Sequence, residues 1–209
     1  LSATQLASFS ATSIGALVTT QLAALTTSQL QSLSVTEIAG FKDTQIATFN
    51  TTQINALTAT QMGALSATGI AGLTPAHIAS LTTTQFVALK ATQIAALSTT
   101  VIASLSGTYI ESLTATQIGA LTTTQTATFS TSQITSLTTT QIGNMTAVQI
   151  GGLTPTLLGA LTTSQFAALT STQIGALSTS AITGFTQTQI EQLSLTQLSG
   201  LKASQIGAL

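Results

Sequence analysis

Residues 49–65 read Phe-Asn-Thr-Thr-Gln-Ile-Asn-Ala-Leu-Thr-Ala-Thr-Gln-Met-Gly-Ala-Leu. Phe49, Leu57 and Leu65 stand eight residues apart, and Ile54 and Met62 each follow an eighth-residue anchor by five. The spacing continues outward in both directions. Leu1, Phe9, Leu17, Leu25, Leu33 and Phe41 precede the stretch, and the series runs on to Leu201 and Leu209 without a gap. The second series runs from Leu6, Ile14 and Leu22 to Ile206. The whole chain is 26 copies of one octad plus a closing leucine, with the consensus Leu-Ser/Thr-x-Thr-Gln-Ile-small-small. A fixed short period over an entire chain specifies a solenoid or array, not a globular domain. Residues 1–209 therefore read as a single octapeptide-repeat solenoid. The repeat starts and stops in phase and has no atypical capping unit, so the expectation is a segment of a longer array, or a polymer whose ends meet other subunits.

With Leu1 as position 1, position 2 is Ser, Thr or Asn in 22 of 26 octads, the exceptions being Val18, Lys42, Lys90 and Lys202. Position 5 is Gln or Glu in 19 of 26. Ser/Thr-x-x-Gln/Glu is the capping box: the hydroxyl accepts from the backbone N–H three residues on, and the Gln reaches back. Position 1 is then N′ and position 6 is N4. Their apolar pairing is the hydrophobic staple, broken only at Thr126. Pro75 and Pro155 both fall at position 3, the first helical position, where a missing N–H is harmless and φ is already helical. Glu37 and Asp43 also sit where the positive end of a helix favours an acid.

Such a helix cannot continue. Apolar spacing of 5 then 3 drifts by about 80° per octad, which would smear the stripe around a long helix. Each octad therefore reads as about one and a half helical turns, followed by a bend at positions 8, 1 and 2. Gly40, Gly72, Gly152, Gly184 and Gly200 at position 8 suit a helix C-terminus and the close approach of neighbouring coils. An element this short is stable only inside a stack. Seven octads lack Gln or Glu at position 5: those of Ser13, Gly69, His77, Val101, Tyr109, Leu157 and Ala181. They favour no class modulo 2 or 3, so the octads look equivalent and predict a smooth superhelix. The fold class is all-α, a solenoid of 26 very short capped helices. The Leu/Phe and Ile/Leu series form its core, and Thr, Ser and Gln coat the outside. The alternative is a β-solenoid, favoured by the Thr-x-Thr segments and β-branched residues. It is opposed by the opposite parity of positions 1 and 6, which would place them on opposite faces of one strand.

The chemistry-bearing inventory is small. Only 3% of residues are charged and the net charge is −1. Three scattered lysines give no footprint for nucleic acid. Mean hydropathy is +0.52, yet Ser, Thr and usually Gln interrupt every octad, so no run nears the ~18 apolar residues of a membrane span. Cysteine is absent, which removes disulfides and thiolate sites and suits a bacterial secreted protein. His77 is the only histidine and reads as drift from the position-5 Gln. The four acids, Glu37, Asp43, Glu111 and Glu191, are scattered. Lys42, Lys90 and Lys202 all fall at position 2 on an expected solvent-facing bend, and Tyr109 is expected outside. No catalytic, cofactor-binding or metal-binding residue is assigned, no cofactor is implied, and the chain does not read as an enzyme. Position 4 is Thr or Ser in 24 of 26 octads, beyond what a capping box requires. It reads either as local hydrogen bonding or as an external hydroxyl array that binds a glycan, a surface or ice.

Leu81–Leu89 (Leu-Thr-Thr-Thr-Gln-Phe-Val-Ala-Leu), Leu121–Phe129 (with Thr126) and Leu137–Met145 resemble the Thr/Gln-rich octad tracts of very large secreted or surface proteins of Gram-negative bacteria. Those proteins are often labelled adhesins or haem-utilisation proteins. The resemblance implies an extracellular or cell-surface, fibrous or adhesive role; His77 alone gives the haem label no support. The expected function is a stiff rod, filament or stalk that self-associates or stacks end to end. The alternative is a binding module using the hydroxyl array.

Overall fold

The structure, a computed structural model, describes residues 2–209. It is helical throughout, with one helix in each octad, from Ala3–Leu6 to Ala203–Ile206. No strand occurs among the described residues, so the β-solenoid alternative is not adopted. The helices are four to six residues long and start at position 3. Thr58 shows why. Its backbone is extended (φ −68°, ψ 161°) and its hydroxyl accepts the Gln61 N–H at 3.2 Å, while Gln61 Oε1 accepts the Thr58 N–H at 2.9 Å. Eight residues later Ser66 repeats the start, before the previous helix can lengthen. Pro75 and Pro155 occupy the first helical position, as their spacing requires.

The contacts gather into two compact units, Leu1–Leu105 and Ser106–Leu209, built alike. In the first, helix Thr51–Ala56 packs on Thr27–Ser32 and on Pro75–Ser80, and Asp43–Ile46 packs on Ala67–Ile70. In the second, Ala147–Gly151 packs on Ser171–Ala176 and Gly107–Ser112 on Thr131–Ser136. Each partner lies three helices away, the signature of a wound repeat in which each coil packs on the next. The side-chain bonds between coils span 28 and 31 residues. The shorter of these spans is three and a half octads, so a helix in one coil faces a helix and a bend in the coil before it. That half-integer winding is why no modulo-2 or modulo-3 class exists along the chain.

Positions 1 and 6 make the core of each unit. Ile46, Ile54, Ile134 and Ile142 are fully buried, and Leu57, Leu65, Leu137 and Leu153 nearly so. Phe41 and Phe49 meet edge to face in the first unit, with centroids 5.3 Å apart, as do Phe166 and Phe185 in the second at 5.0 Å. Thr126, the polar intruder at position 6, is fully buried. Its hydroxyl turns back to the Thr123 carbonyl at 3.1 Å, so it costs no orphaned donor.

One expectation holds in part and another is corrected. Of the two uses expected of position-8 glycine, the close approach of coils is met; its place at a helix C-terminus involves no left-handed cap, because no described residue has a positive φ. A Cβ at Gly40, Gly72, Gly184 or Gly200 would lie 2.0 to 2.3 Å from the backbone oxygen of Ala11, Asp43, Pro155 or Ser171, respectively, in the preceding coil. The correction concerns glutamine. Gln5 and Gln21 are exposed, but from Gln45 on the position-5 glutamines do not coat the outside; Gln45, Gln53, Gln93, Gln141, Gln165 and Gln173 are buried.

Candidate functional site

The buried glutamines form the one repeated polar constellation of the described interior. A primary amide has one acceptor oxygen and two donors, and a buried position-5 glutamine such as Gln61 uses all three. Gln61 Oε1 takes the N-cap N–H of Thr58, and Nε2 donates to the carbonyls of Leu30 (2.8 Å) and Leu33 (2.9 Å) in the preceding coil. Gln93 repeats the pattern on Met62 and Leu65, both at 2.8 Å. In the second unit Gln141 reaches Ile110 and Leu113, Gln165 reaches Ile134 and Leu137, and Gln173 reaches Ile142 and Met145. The carbonyls belong to position 6 of one octad and position 1 of the next. They lie at the helix end, where the position-6 carbonyl also accepts the position-1 N–H, as Leu33 N–H to Leu30 at 3.2 Å. One side chain therefore closes a helix start in its own coil and a helix end in the coil before.

This geometry explains the residue choice. Glutamate can cap, but an ionised carboxylate has no donor for the two carbonyls. Position 5 accordingly carries eighteen glutamines and one glutamate. His77 is buried and imitates the amide. Its Nδ1 accepts the Thr74 N–H at 3.2 Å, and Nε2 lies 2.8 Å from the Phe49 carbonyl. Those contacts require the neutral tautomer with the proton on Nε2. Val101, Leu157 and Ala181 fill the position with side chains that cannot bond across coils, and all three are buried. Tyr109 is only partly withdrawn from solvent rather than outside, and that burial pushes its phenol up from the usual tyrosine range.

The remaining ionisable residues are dispersed. Lys42, Lys90 and Lys202 are exposed N-caps with no side-chain cap bond, and there the glutamine half of the box persists, as in Lys42 N–H to Gln45 Oε1 at 2.9 Å. Each lysine comes one coil after a position-7 glycine: Gly15 before Lys42, Gly63 before Lys90 and Gly175 before Lys202. A Cβ at Gly15 would stand 3.4 Å from Lys42 Cε, so the bare glycine leaves room for the lysine stem. Asp43 Oδ1 accepts the Thr44 N–H at 2.8 Å, and Glu191 accepts from Gln187 Nε2 at 2.8 Å. Among the described residues no three His, Cys, Asp or Glu side chains converge as metal ligands. No helix among them is long and apolar enough to cross a membrane. Position 4 is exposed in every octad from Thr12 to Ser204.

Residues 69–99 and 148–179 match the family described as the ALTTAQ repeat. The chain thus contains a tandem-repeat region similar to that family. No curated protein matches the chain. The two matched stretches share more than the octad. Leu73-Thr-Pro and Leu153-Thr-Pro each precede Leu-Thr-Thr-x-Gln-Phe, ending at Phe86 and Phe166. The two prolines are therefore corresponding residues of one repeated passage, and they count as one observation of the register.

Proposed function

We propose that this chain is a structural repeat protein, forming a stiff extracellular rod, filament or stalk within a cell-surface or matrix assembly of a bacterium. The observation that supports this reading best is the glutamine stitch. Successive coils of a unit are held together by paired buried hydrogen bonds as well as by core packing, and a close-packed interior of this kind resists bending and shear. The outer face is nearly uncharged and hydroxyl-rich, which suits assembly with like surfaces. Octads compatible with one another give a mechanism for self-association, one array continuing the winding of the next. Electron microscopy of surface material from the producing cell should show long thin fibres labelled by an antibody to this chain. A compact cytosolic monomer would overturn the proposal.

The exposed position-4 residues favour a second reading, an adhesive module that presents Thr and Ser to a glycan, a mineral or organic surface, or ice. Half-integer winding places a helix over a bend in successive coils of a unit, so hydroxyls recur in phase only every second coil. That spacing suits a dispersed glycan or surface contact better than the dense flat ranks needed for ice. A thermal-hysteresis assay and a glycan array separate these ligands from a passive rod.

A further inference from the structure

The chain has three asparagines, and two of them, in Asn50-Thr51-Thr52 and Asn144-Met145-Thr146, stand in the Asn-x-Thr pattern that accepts an N-linked sugar. The pattern alone decides nothing in so hydroxyl-rich a repeat, because position 4 follows position 2 by two residues and is Thr or Ser in 24 of 26 octads. Geometry separates the two. Asn50 is exposed on the bend before helix Thr51–Ala56, in extended backbone (φ −82°, ψ 166°). Its Oδ1 accepts the Gln53 N–H at 2.9 Å, so the oxygen alone caps the helix. Its Nδ2 has no hydrogen-bond partner among the described residues. Thr51 and Thr52 are exposed as well, and the Thr52 hydroxyl has no such partner either. Asn144 is also exposed, but it ends helix Thr139–Asn144 and its Nδ2 donates to the Thr140 carbonyl at 2.8 Å. Met145 beside it is buried, and the Thr146 hydroxyl is taken by the Gln149 N–H at 3.2 Å. The third asparagine, Asn55, is followed by Ala56 and Leu57 and lacks the hydroxyl.

We propose that Asn50 is an N-glycosylation site, an inference that rests on the extracellular reading above. The co-reactant is a sugar diphosphate, nucleotide-linked or lipid-linked. Asn50 Nδ2 forms a bond to the anomeric carbon of the sugar as that carbon's bond to the phosphate oxygen breaks. The diphosphate leaves with the bonding electrons, and one Nδ2 proton passes to a base of the transferase. The product remains an amide with its carbonyl oxygen, so Oδ1 still accepts from Gln53 and the helix start survives the modification. At Asn144 the same attack first gives up the bond to Thr140. A glycan on the Asn50 bend also hydrates a surface drawn from a chain with only 3% charged residues.

The test is glycopeptide mass spectrometry of the full chain recovered from the surface of the producing cell. A sugar on the Asn50 peptide, at an occupancy about tenfold above that of Asn144, supports the proposal, the factor being the worth of the bond that Asn144 gives up. A single hexose assigns the nucleotide-linked donor and a preassembled oligosaccharide the lipid-linked one, and either supports it. Asn50→Asp keeps a capping oxygen but has no nitrogen to glycosylate, and Thr52→Ala removes only an exposed hydroxyl. Each should abolish the sugar while the helical circular dichroism stays unchanged. Surface chain with Asn50 bare, or with Asn144 equally occupied, overturns the inference and leaves the extracellular reading standing. An unmodified chain confined to the cytosol overturns both.

Discussion

Gln93 shows what the repeat asks of a single side chain. It is 1% exposed, and all of its hydrogen-bonding groups are engaged: Oε1 with Lys90 N–H, and Nε2 with Met62 and Leu65. Gln93→Ala removes three bonds, takes from the Leu65 carbonyl and the Lys90 N–H their glutamine partner while Met62 keeps the Leu65 N–H, and leaves a void, so it should cost about 2–4 kcal/mol. Urea denaturation should show the loss, with hydrogen exchange rising first near 62–65 and 90–97. His77 fills the same role less completely, with a bond to Phe49 in place of the usual pair. His77→Gln should be neutral or stabilising by up to about 1 kcal/mol, which thermal melting of the variant checks. Half of this role is legible in the octad. Ser/Thr-x-x-Gln announces a cap, because both partners lie three residues apart in one helix. The other half is invisible, because its partners lie a full coil back along the chain and are backbone carbonyls, which leave no mark on composition. Hence glutamine and glutamate look interchangeable at Glu37 until the burial of both carboxylate oxygens is known.

At the scale of one helix, the decisive facts are how it starts and what it touches where it ends. Lys90 starts its helix without a side-chain acceptor. Lys90→Thr restores the missing half of the capping box and should stabilise by about 0.5–1 kcal/mol. Melting of the variant checks this. The glycines divide by neighbour, not by conformation. Gly119 lies within helix Ala115–Ala120, and a Cβ there meets nothing within 4 Å. Gly119→Ala should stabilise by about 0.5–1 kcal/mol through helix propensity alone. Gly72 ends its octad with the Asp43 carbonyl oxygen 2.0 Å from where a Cβ would stand. Gly72→Ala must push two coils apart and should cost about 2–3 kcal/mol. Opposite signs for one chemical change, measured by denaturation of the two variants, would confirm that close approach sets the glycine positions. The helices themselves are readable in the octad because cap, staple and proline all act within eight residues. The use of position-8 glycine is ambiguous there, because a tight coil contact and a left-handed cap leave the same small residue behind.

For each unit as a whole, period and winding are separate quantities. The eight-residue period is written in every anchor from Leu1 to Leu209. The winding is set by how many short helices close a coil around two apolar series, and that number, about three and a half octads, emerges only from packing. Because it is not an integer, each octad in turn sits over both a helix and a bend, and selection leaves no face-specific signature. The same property makes whole octads exchangeable. Deleting Thr162–Leu169 joins Leu161 to Thr170 and keeps every later residue in its octad position, so the stitches to the preceding coil re-form with new partners of the same type. Nearest-neighbour stabilisation of a repeat predicts only the loss of one octad's share. Deleting Thr162–Gln165 joins Leu161 to Phe166 and moves every later octad half a period, setting hydroxyls against core positions and glutamines against solvent. Circular dichroism and hydrogen exchange of the two variants should separate them sharply. The eight-residue deletion should keep helical content per residue and protection at Gln173 and Gln189. The four-residue deletion should lose protection around the junction and split the second unit's unfolding into two transitions. If the half-period deletion were tolerated equally, the coil-to-coil stitch could not be what aligns the array.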